Sequence, residues 1–272
     1  MSANANSRPT RLVVLGAAGR MGRVLTATAL GDPAIKVVGA IDRPDSPEAG
    51  EDIGRLAGVA ECGVPLGTSL DGMLAGADAT IEFSVPEATL DHLETVRQAK
   101  RAAVIGTTGF SPAQLDRVRE IAREIPVFLS PNMSLGVNLL LKILPIVART
   151  LGPGYDIEIV ETHHHGKKDA PSGTAIKLGE VVAEALGTTL AESAVYGRQG
   201  IQPRQPGEIG MHAIRAGSVV GDHSVFFVND GEQIEIAHRA FSRQTFALGA
   251  LRAVKWIVDQ PAGLYSMQDL IG

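Results

Sequence analysis

Between Glu161 and Thr174 the chain reads Glu-Thr-His-His-His-Gly-Lys-Lys-Asp-Ala-Pro-Ser-Gly-Thr, placing three of its seven histidines and two lysines directly before a helix start. Histidine titrates near neutral pH and lysine carries a cation, so this mixture can hold an anion and move a proton. Three readings compete. A metal site would need a third ligand. An extended segment turns His163 and His165 to one side and His164 to the other, and no further ligand stands at zinc spacing. A solvated polar loop accounts for one histidine better than for three beside two lysines. A site for an anionic substrate uses every part: imidazole protons, the lysine cation, and the amides of Ser172-Gly173-Thr174 at a helix N-terminus. That third reading is favoured, with Ser172 also serving as N-cap.

A second group of residues offers different chemistry. Gly16-Ala17-Ala18-Gly19-Arg20-Met21-Gly22 follows the first apolar strand and opens a helix. Glycines there allow a sharp turn and close approach of a pyrophosphate to free helix amides. The spacing is G-x-x-G-x-x-G rather than G-x-G-x-x-G, so context must add weight. Asp42 stands 20 residues beyond Gly22, at the end of the next strand, where an acid would bond ribose hydroxyls. Arg43 beside it could hold a 2′-phosphate, so both NADH and NADPH are expected as cofactors. The loops Gly106-Thr107-Thr108-Gly109 and Ser130-Pro131-Asn132-Met133 also fall at strand ends that line the ligand crevice of an open parallel sheet.

These residues need a scaffold, and the apolar pattern supplies one. Short runs at Leu12–Leu15, Val37–Ile41, Thr80–Phe83, Ala103–Ile105 and Val127–Leu129 read as strands buried on both faces. Helical stretches at Arg20–Leu30, Glu87–Lys100 and Pro112–Glu124 alternate with them, the last introduced by Ser111, Pro112 and Gln114. This predicts a doubly wound parallel sheet. After Pro131 the pattern changes. A helix over Val137–Leu151, kinked or split at Pro145, precedes a strand at Tyr155–Glu161 and a helix at Gly173–Leu186. Strands at Met211–Ile214, Ser218–Val228 and Gln233–Ala237 then point to antiparallel or mixed pairing in an α+β domain. The helical stretch Thr245–Val258 could return to the first domain.

Composition narrows the class. Apolar residues make up 44% of the 272 and charged residues 20%, which fills a core and excludes a disordered chain. Aromatics are only 4%, so the core volume comes from Ala, Val, Ile and Leu. The single Cys62 excludes an intrachain disulfide and Cys-based metal clusters. A net charge of −5 gives no electrostatic reason for a nucleic-acid or anionic-membrane partner. No uninterrupted apolar run approaches the roughly 18 residues of a membrane span, and residues 1–10 read as a loose tail. A soluble, cytoplasmic protein without a metal is expected.

Taken together, Gly16–Gly22, Gly106–Gly109, Asn132–Asn138, Glu161–Thr174 and Gly221-Asp222-His223 followed by Gly231-Glu232 resemble the 4-hydroxy-tetrahydrodipicolinate (dihydrodipicolinate) reductase family over almost the whole chain. The resemblance implies a Rossmann-type dinucleotide-binding domain, residues 1–133 with 243–272. An inserted α+β substrate-binding and tetramerisation domain covers 134–242. It implies reduction of a cyclic dicarboxylate by NADH or NADPH with loss of water, in the diaminopimelate route to lysine. By the same resemblance His163 is the acid/base histidine and Lys167 the proton donor, while His164, Gly173 and Thr174 bind substrate. Gly16, Ala17, Ala18, Gly19, Arg20, Met21, Asp42, Arg43, Gly106, Thr107, Thr108, Ser130, Pro131, Asn132 and Met133 match cofactor contacts. The chain departs from the family pattern at His165, where an arginine is usual, and at Gly166, but keeps the His163–Lys167 spacing. A reductase of another small acid and a non-catalytic redox sensor are the alternatives; a sensor has no use for the His163–Lys167 cluster.

Overall fold

The computed structural model describes residues 8–272, so most of the expected N-terminal tail, residues 1–7, lies outside the described residues. In chain order the elements are β1 (Thr10–Leu15), α1 (Arg20–Leu30), β2 (Ile35–Ile41), α2 (Ile53–Leu56), β3 (Leu66–Gly67), β4 (Ala79–Glu82), α3 (Pro86–Gln98), β5 (Ala102–Ile105), α4 (Pro112–Ala122) and β6 (Pro126–Leu129). There follow α5 (Leu135–Leu151), β7 (Asp156–His163), α6 (Gly173–Ala185), α7 (Leu190–Ser193), β8 (Ala194–Tyr196), β9 (Ile209–Arg215), β10 (Gly221–Val228) and β11 (Gln233–Ala240). The chain ends with α8 (Gln244–Ile257), β12 (Gly263–Tyr265) and α9 (Met267–Ile271). It divides into two compact units, one formed by residues 1–134 with 244–272, the other by 135–243.

The first unit is built on a seven-stranded, wholly parallel sheet in the order β12-β6-β5-β4-β1-β2-β3. Five of these strands are the apolar runs expected; β3 and β12 add short edges. The central strands β4 and β5 are buried throughout, as a sheet covered on both faces requires. The helix α4 starts with the expected capping box, Ser111 and Gln114 satisfying each other's backbone amides. Strand order reverses beside β1, whose neighbours are β2 and β4, so the crevice of this open sheet lies at the carboxyl ends of β1 and β4. At the far edge Trp256 of α8 stands edge-on to Phe128 of β6, with centroids 6.2 Å apart, and to Tyr265 of β12, 5.2 Å apart. This aromatic contact anchors the C-terminal elements to the sheet.

The second unit carries a mixed five-stranded sheet, β11-β10-β7-β9-β8, in which β10 runs antiparallel to β7 and β11 while β7, β9 and β8 are parallel. Alternation along each strand sends Ile157 and Ile159, Val225 and Phe227, and Ile209 and Met211 into one core with α5 and α6. Two expectations need correcting here. The helix α5 is not split at Pro145 but continues from Leu135 to Leu151, with Leu140, Leu144 and Ala148 on both sides of the proline buried in the same core. Packing holds the helix across the missing amide. With the following turn it makes a 20-residue stretch, Leu135–Gly154, of mean hydropathy 1.5, which is long and apolar enough to span a membrane by length and composition. The sequence conceals this because Asn138, Lys142 and Arg149 interrupt the apolar run.

The tight start of α1 yields a test. A β-carbon at Gly22 would stand 2.1 Å from the Gly16 carbonyl oxygen and 2.7 Å from Ala17 Cα, whereas one at Gly31 meets nothing closer than 3.6 Å. Gly22→Ala is therefore expected to cost ~1–3 kcal/mol through forced backbone movement. Gly31→Ala, at φ −86°, is expected to gain about 0.4–1 kcal/mol. Denaturant midpoints of the two variants check both signs.

Candidate active site

The alternation that buries Ile157 and Ile159 continues along β7 and turns the next two inward residues, Glu161 and His163, into the same face. Glu161 is fully buried, at 0% exposure. A carboxylate there needs a full set of donors. Arg215 of β9, opposite His163 in the register, reaches it with both terminal nitrogens, at 2.7 and 2.8 Å. The Ser172 amide donates to Oε1 at 3.0 Å, and His163 Nδ1 lies 2.6 Å from Oε2. Burial pushes the Glu161 carboxyl up, but Arg215, His163 and the Ser172 amide outweigh it and hold the group below the ordinary carboxylate value. An ionised Glu161 only accepts, so His163 carries its hydrogen on Nδ1 and keeps Nε2 for other work. Gly221 leaves that nitrogen uncovered, since a β-carbon there would stand 3.0 Å from Nε2.

A second imidazole backs the first. His223, 4% exposed, stands edge-on to His163 with ring centroids 5.2 Å apart. Its Nε2 shares a hydrogen with Ser172 Oγ at 3.0 Å, and its Nδ1 is buried without a protein partner. Burial, reinforced by repulsion from His163, pushes its pKa down to about 4, so this imidazole stays neutral. Ser172 meanwhile accepts the Ala175 amide at 3.1 Å as N-cap of α6. One serine thus links the helix start, the carboxylate and the second histidine.

The strand stops at His163, which corrects the expectation that His165 shares its face. His164 to Lys167 form a tight turn closed by the Lys167 amide on the His164 carbonyl, 3.1 Å, leaving His165 exposed. The turn brings Lys167 back toward the helix start, where its ammonium binds Asp169 at 2.9 Å. That hydrogen bond holds the Asp169 carboxyl below its usual value. Arg215 also donates to the Asp169 carbonyl at 2.6 Å, so one guanidinium ties the lysine's partner to the histidine's partner. Partial burial lowers the His164 pKa, helped by Arg243 and neighbouring cations, which favours its neutral form. Gly173 is exposed at the start of α6, with nothing within 4 Å of where a side chain would begin, and Thr174 follows it. Glu161, Arg215 and His223 were not among the residues proposed from the sequence. For Glu161 the signal was present, two residues before His163 on the same strand face.

In the first unit Gly16 takes φ +68°, a left-handed turn that suits glycine. The start of α1 has neither a side-chain cap nor an acidic residue in its first turn, unlike α2, α4 and α6, which Asp52, Ser111 and Ser172 cap. An uncapped helix start beside glycines is a cradle for a phosphate. Asp42 accepts the Ala18 amide at 2.8 Å and the Arg43 amide at 2.9 Å. A carboxylate offers about four acceptor positions, so two remain for sugar hydroxyls. Among the described residues Arg43 pairs only with exposed Asp45, 3.2 Å away, a contact of little energy that leaves its guanidinium available. A cleft of about 590 Å³ joins Gly16, Gly19, Asp42 and Arg43 to Phe83, Ser84 and His92, which sequence reasoning missed. These residues fit a dinucleotide. Gly106–Thr108 and Ser130–Met133 follow β5 and β6 at the same edge of the sheet, outside the lining of this cleft. Ala17, Thr107, Ser130 and Met133 are buried, so their side chains are turned to the protein, whereas Arg20 and Thr108 are exposed and Ala18, Met21 and Asn132 half-buried.

A doubly wound sheet with a glycine-rich first turn, together with a mixed-sheet unit bearing a buried carboxylate–histidine pair and a lysine, is the build of a two-domain pyridine-nucleotide oxidoreductase. Residues 10–133 match the family pattern described as dihydrodipicolinate reductase, N-terminus, and residues 136–271 match dihydrodipicolinate reductase, C-terminus. The chain belongs to the dihydrodipicolinate reductase family. It is 51% identical over 261 residues to the 4-hydroxy-tetrahydrodipicolinate reductase of Rubrobacter xylanophilus, covering 96% of this chain and 98% of that one. The enzyme of the same name from Methylococcus capsulatus is 50% identical with the same coverage. In fold it is similar to a dipicolinate-bound dihydrodipicolinate reductase from Paenisporosarcina sp. TG-14, with a TM-score of 0.76 at 22% identity over 95% of this chain and 97% of that one.

The buried neutral histidine has a measurable consequence. Its folded pKa, about 4, lies below the ordinary 6.5. Between those values the unfolded chain takes up a proton that the folded one refuses, so stability falls as pH drops from 6.5 toward 4. The full effect is ~3 kcal/mol at about 1.4 kcal/mol per unit. In His223→Gln this part of the acid destabilisation is expected to vanish, which unfolding free energies at several pH values will show. Equal losses in both proteins would exclude His223 as its source.

Proposed function

We propose that this protein reduces 4-hydroxy-tetrahydrodipicolinate to tetrahydrodipicolinate with NADH or NADPH, with loss of water. The observation that carries the reading is the Glu161–His163 pair beside Lys167–Asp169 at the start of α6, in a chain half identical to reductases of that name. When bound, the dinucleotide supplies a hydride; the residues of this chain do the rest. Lys167 and the amides of Gly173 and Thr174 bind the substrate's carboxylates, with neutral His164 as a hydrogen-bond donor. As negative charge develops on the ring, the Lys167 ammonium, or His163 after taking up a proton on Nε2 to become the imidazolium, delivers the proton that completes the addition. Glu161 keeps His163 in the tautomer that leaves Nε2 working and stabilises the imidazolium when it forms. Asp42 would take the adenine-ribose hydroxyls of NADH, and Arg43 would face the 2′-phosphate of NADPH.

The same reading includes a homotetramer and a cytoplasmic setting. Both α5 and α6 cover one face of the mixed sheet, while the other presents Val160, Phe226 and Val228 half-buried among polar residues. That face supports the subunit contact.

Oxidation of NADH and NADPH followed with freshly generated substrate tests the activity. His163→Ala and Lys167→Ala are each expected to lower kcat roughly 100-fold, the usual scale for losing acid–base help, with cofactor affinity nearly unchanged. Normal turnover in both would exclude these roles. Arg43→Ala is expected to weaken NADPH selectively; an equal loss of both cofactors would show that Arg43 does not reach the 2′-phosphate.

A further inference from the structure

We infer that Glu82, a buried carboxylate in the first unit, is a positioning residue for the dinucleotide. Through a connected network of hydroxyls it fixes the turns after β4 and β5 beside the cleft. The inference rests on the proposed reading of that cleft as the cofactor site.

Glu82 ends β4 and is 3% exposed. Burying a carboxylate is costly unless donors surround it. Here the donors are Ser84 Oγ at 2.6 Å and Thr89 Oγ1 at 3.1 Å, with His92 Nδ1 at 3.3 Å, all on Oε2. Among the described residues these partners are two hydroxyls and an imidazole, with no ammonium or guanidinium. Such a group contributes less to stability than a well-packed apolar residue would. What it supplies is a common acceptor on which three segments converge.

Ser84 Oγ and Thr89 Oγ1 also lie 3.1 Å from each other, so two hydroxyls and one carboxylate oxygen form a closed triangle. Thr89 Oγ1 extends it to Thr107 Oγ1 at 2.8 Å. The Thr107 oxygen in turn accepts the Ser84 amide at 3.1 Å. The connected set is the Ser84 amide, Thr107, Thr89, Ser84 Oγ and Glu82, and the carboxylate is the member that only accepts. Three segments are joined by it, namely the turn after β4, the first turn of α3 and the turn after β5. The two turns also interlock directly, since a β-carbon at Gly106 would lie 2.2 Å from the Phe83 ring.

This arrangement divides the work of the paired threonines. Thr107 is 3% exposed and its hydroxyl is spent inside the protein, so it sets the backbone. Thr108, exposed beside it, is the one presented outward. Phe83 and Ser84, which line the cleft, are held from behind by the same carboxylate.

The test compares variants that break the chain with variants that keep it. Glu82→Leu removes the acceptor and Thr89→Val removes the relay. Glu82→Gln keeps an acceptor oxygen and Thr89→Ser keeps the hydroxyl. Direct titration with NADH, read by its fluorescence, is expected to show affinity weakened about tenfold in Glu82→Leu and in Thr89→Val. Glu82→Gln and Thr89→Ser are expected to bind within about twofold of the wild type. The double variant Glu82→Leu/Thr89→Val should be no weaker than either single one, because both break one chain. At saturating cofactor, kcat should stay within about twofold while KM for the cofactor rises. Unchanged affinity in Thr89→Val, or Thr89→Ser as weak as Thr89→Val, would overturn the inference even if the variants melt earlier. If the wild type itself binds neither NADH nor NADPH, the cofactor reading of the cleft has failed and the inference falls with it.

Discussion

Glu161 is the group on which the arrangement of the second unit's candidate site depends. A single carboxylate without solvent contact is met by a guanidinium, an imidazole and a backbone amide, which come from β9, β7 and the start of α6. Leaving any one of them without its partner inside the protein costs several kcal/mol, so the three elements are held in one register. The same contact sets the hydrogen on His163, fixes where α6 begins and, through Arg215, reaches the backbone of Asp169 and so the partner of Lys167. Chemistry and local fold share one cause. The apolar alternation of β7 aims the carboxylate inward, and the charge then recruits the residues around it.

The two units handle negative charge by different means. The second uses ionised side chains locked in pairs. The first uses backbone: a left-handed glycine, an uncapped helix start, and a carboxylate whose two recorded bonds are to amides. Dipoles of this kind suit a diffuse pyrophosphate and need no proton exchange, whereas a reacting ring needs groups that can give one up.

Much of this was legible in the sequence, for identifiable reasons. Short apolar runs without alternation announced the central parallel strands, and the Ser111–Gln114 signature announced the start of α4, since both are local physics. The edges β3 and β12 carry two and three residues and no pattern of their own; they exist because a neighbouring strand offers hydrogen bonds. Pro145 misled because its local penalty is outweighed by burial on both sides. His163 and Lys167 stood out as types at a spacing, but their partners did not. Arg215 and His223 lie more than 50 residues further on, brought in by strand pairing across the mixed sheet. The Glu82 network was equally hidden, because hydroxyls in turns look like ordinary loop residues until the fold brings them together.

The division of the chain has a consequence for how the protein is made. Residues 135–243 form a contiguous unit, so everything that unit needs is present once Arg243 has been synthesised. The other unit, although it begins first, lacks α8 and β12 until the last 29 residues emerge. Its sheet edge at β6 and the helix-bearing face beside α1 stay uncovered for that interval. The unit that leads in the sequence is therefore the one completed last, and loss of residues 244–272 damages the parallel-sheet unit rather than the unit they directly follow.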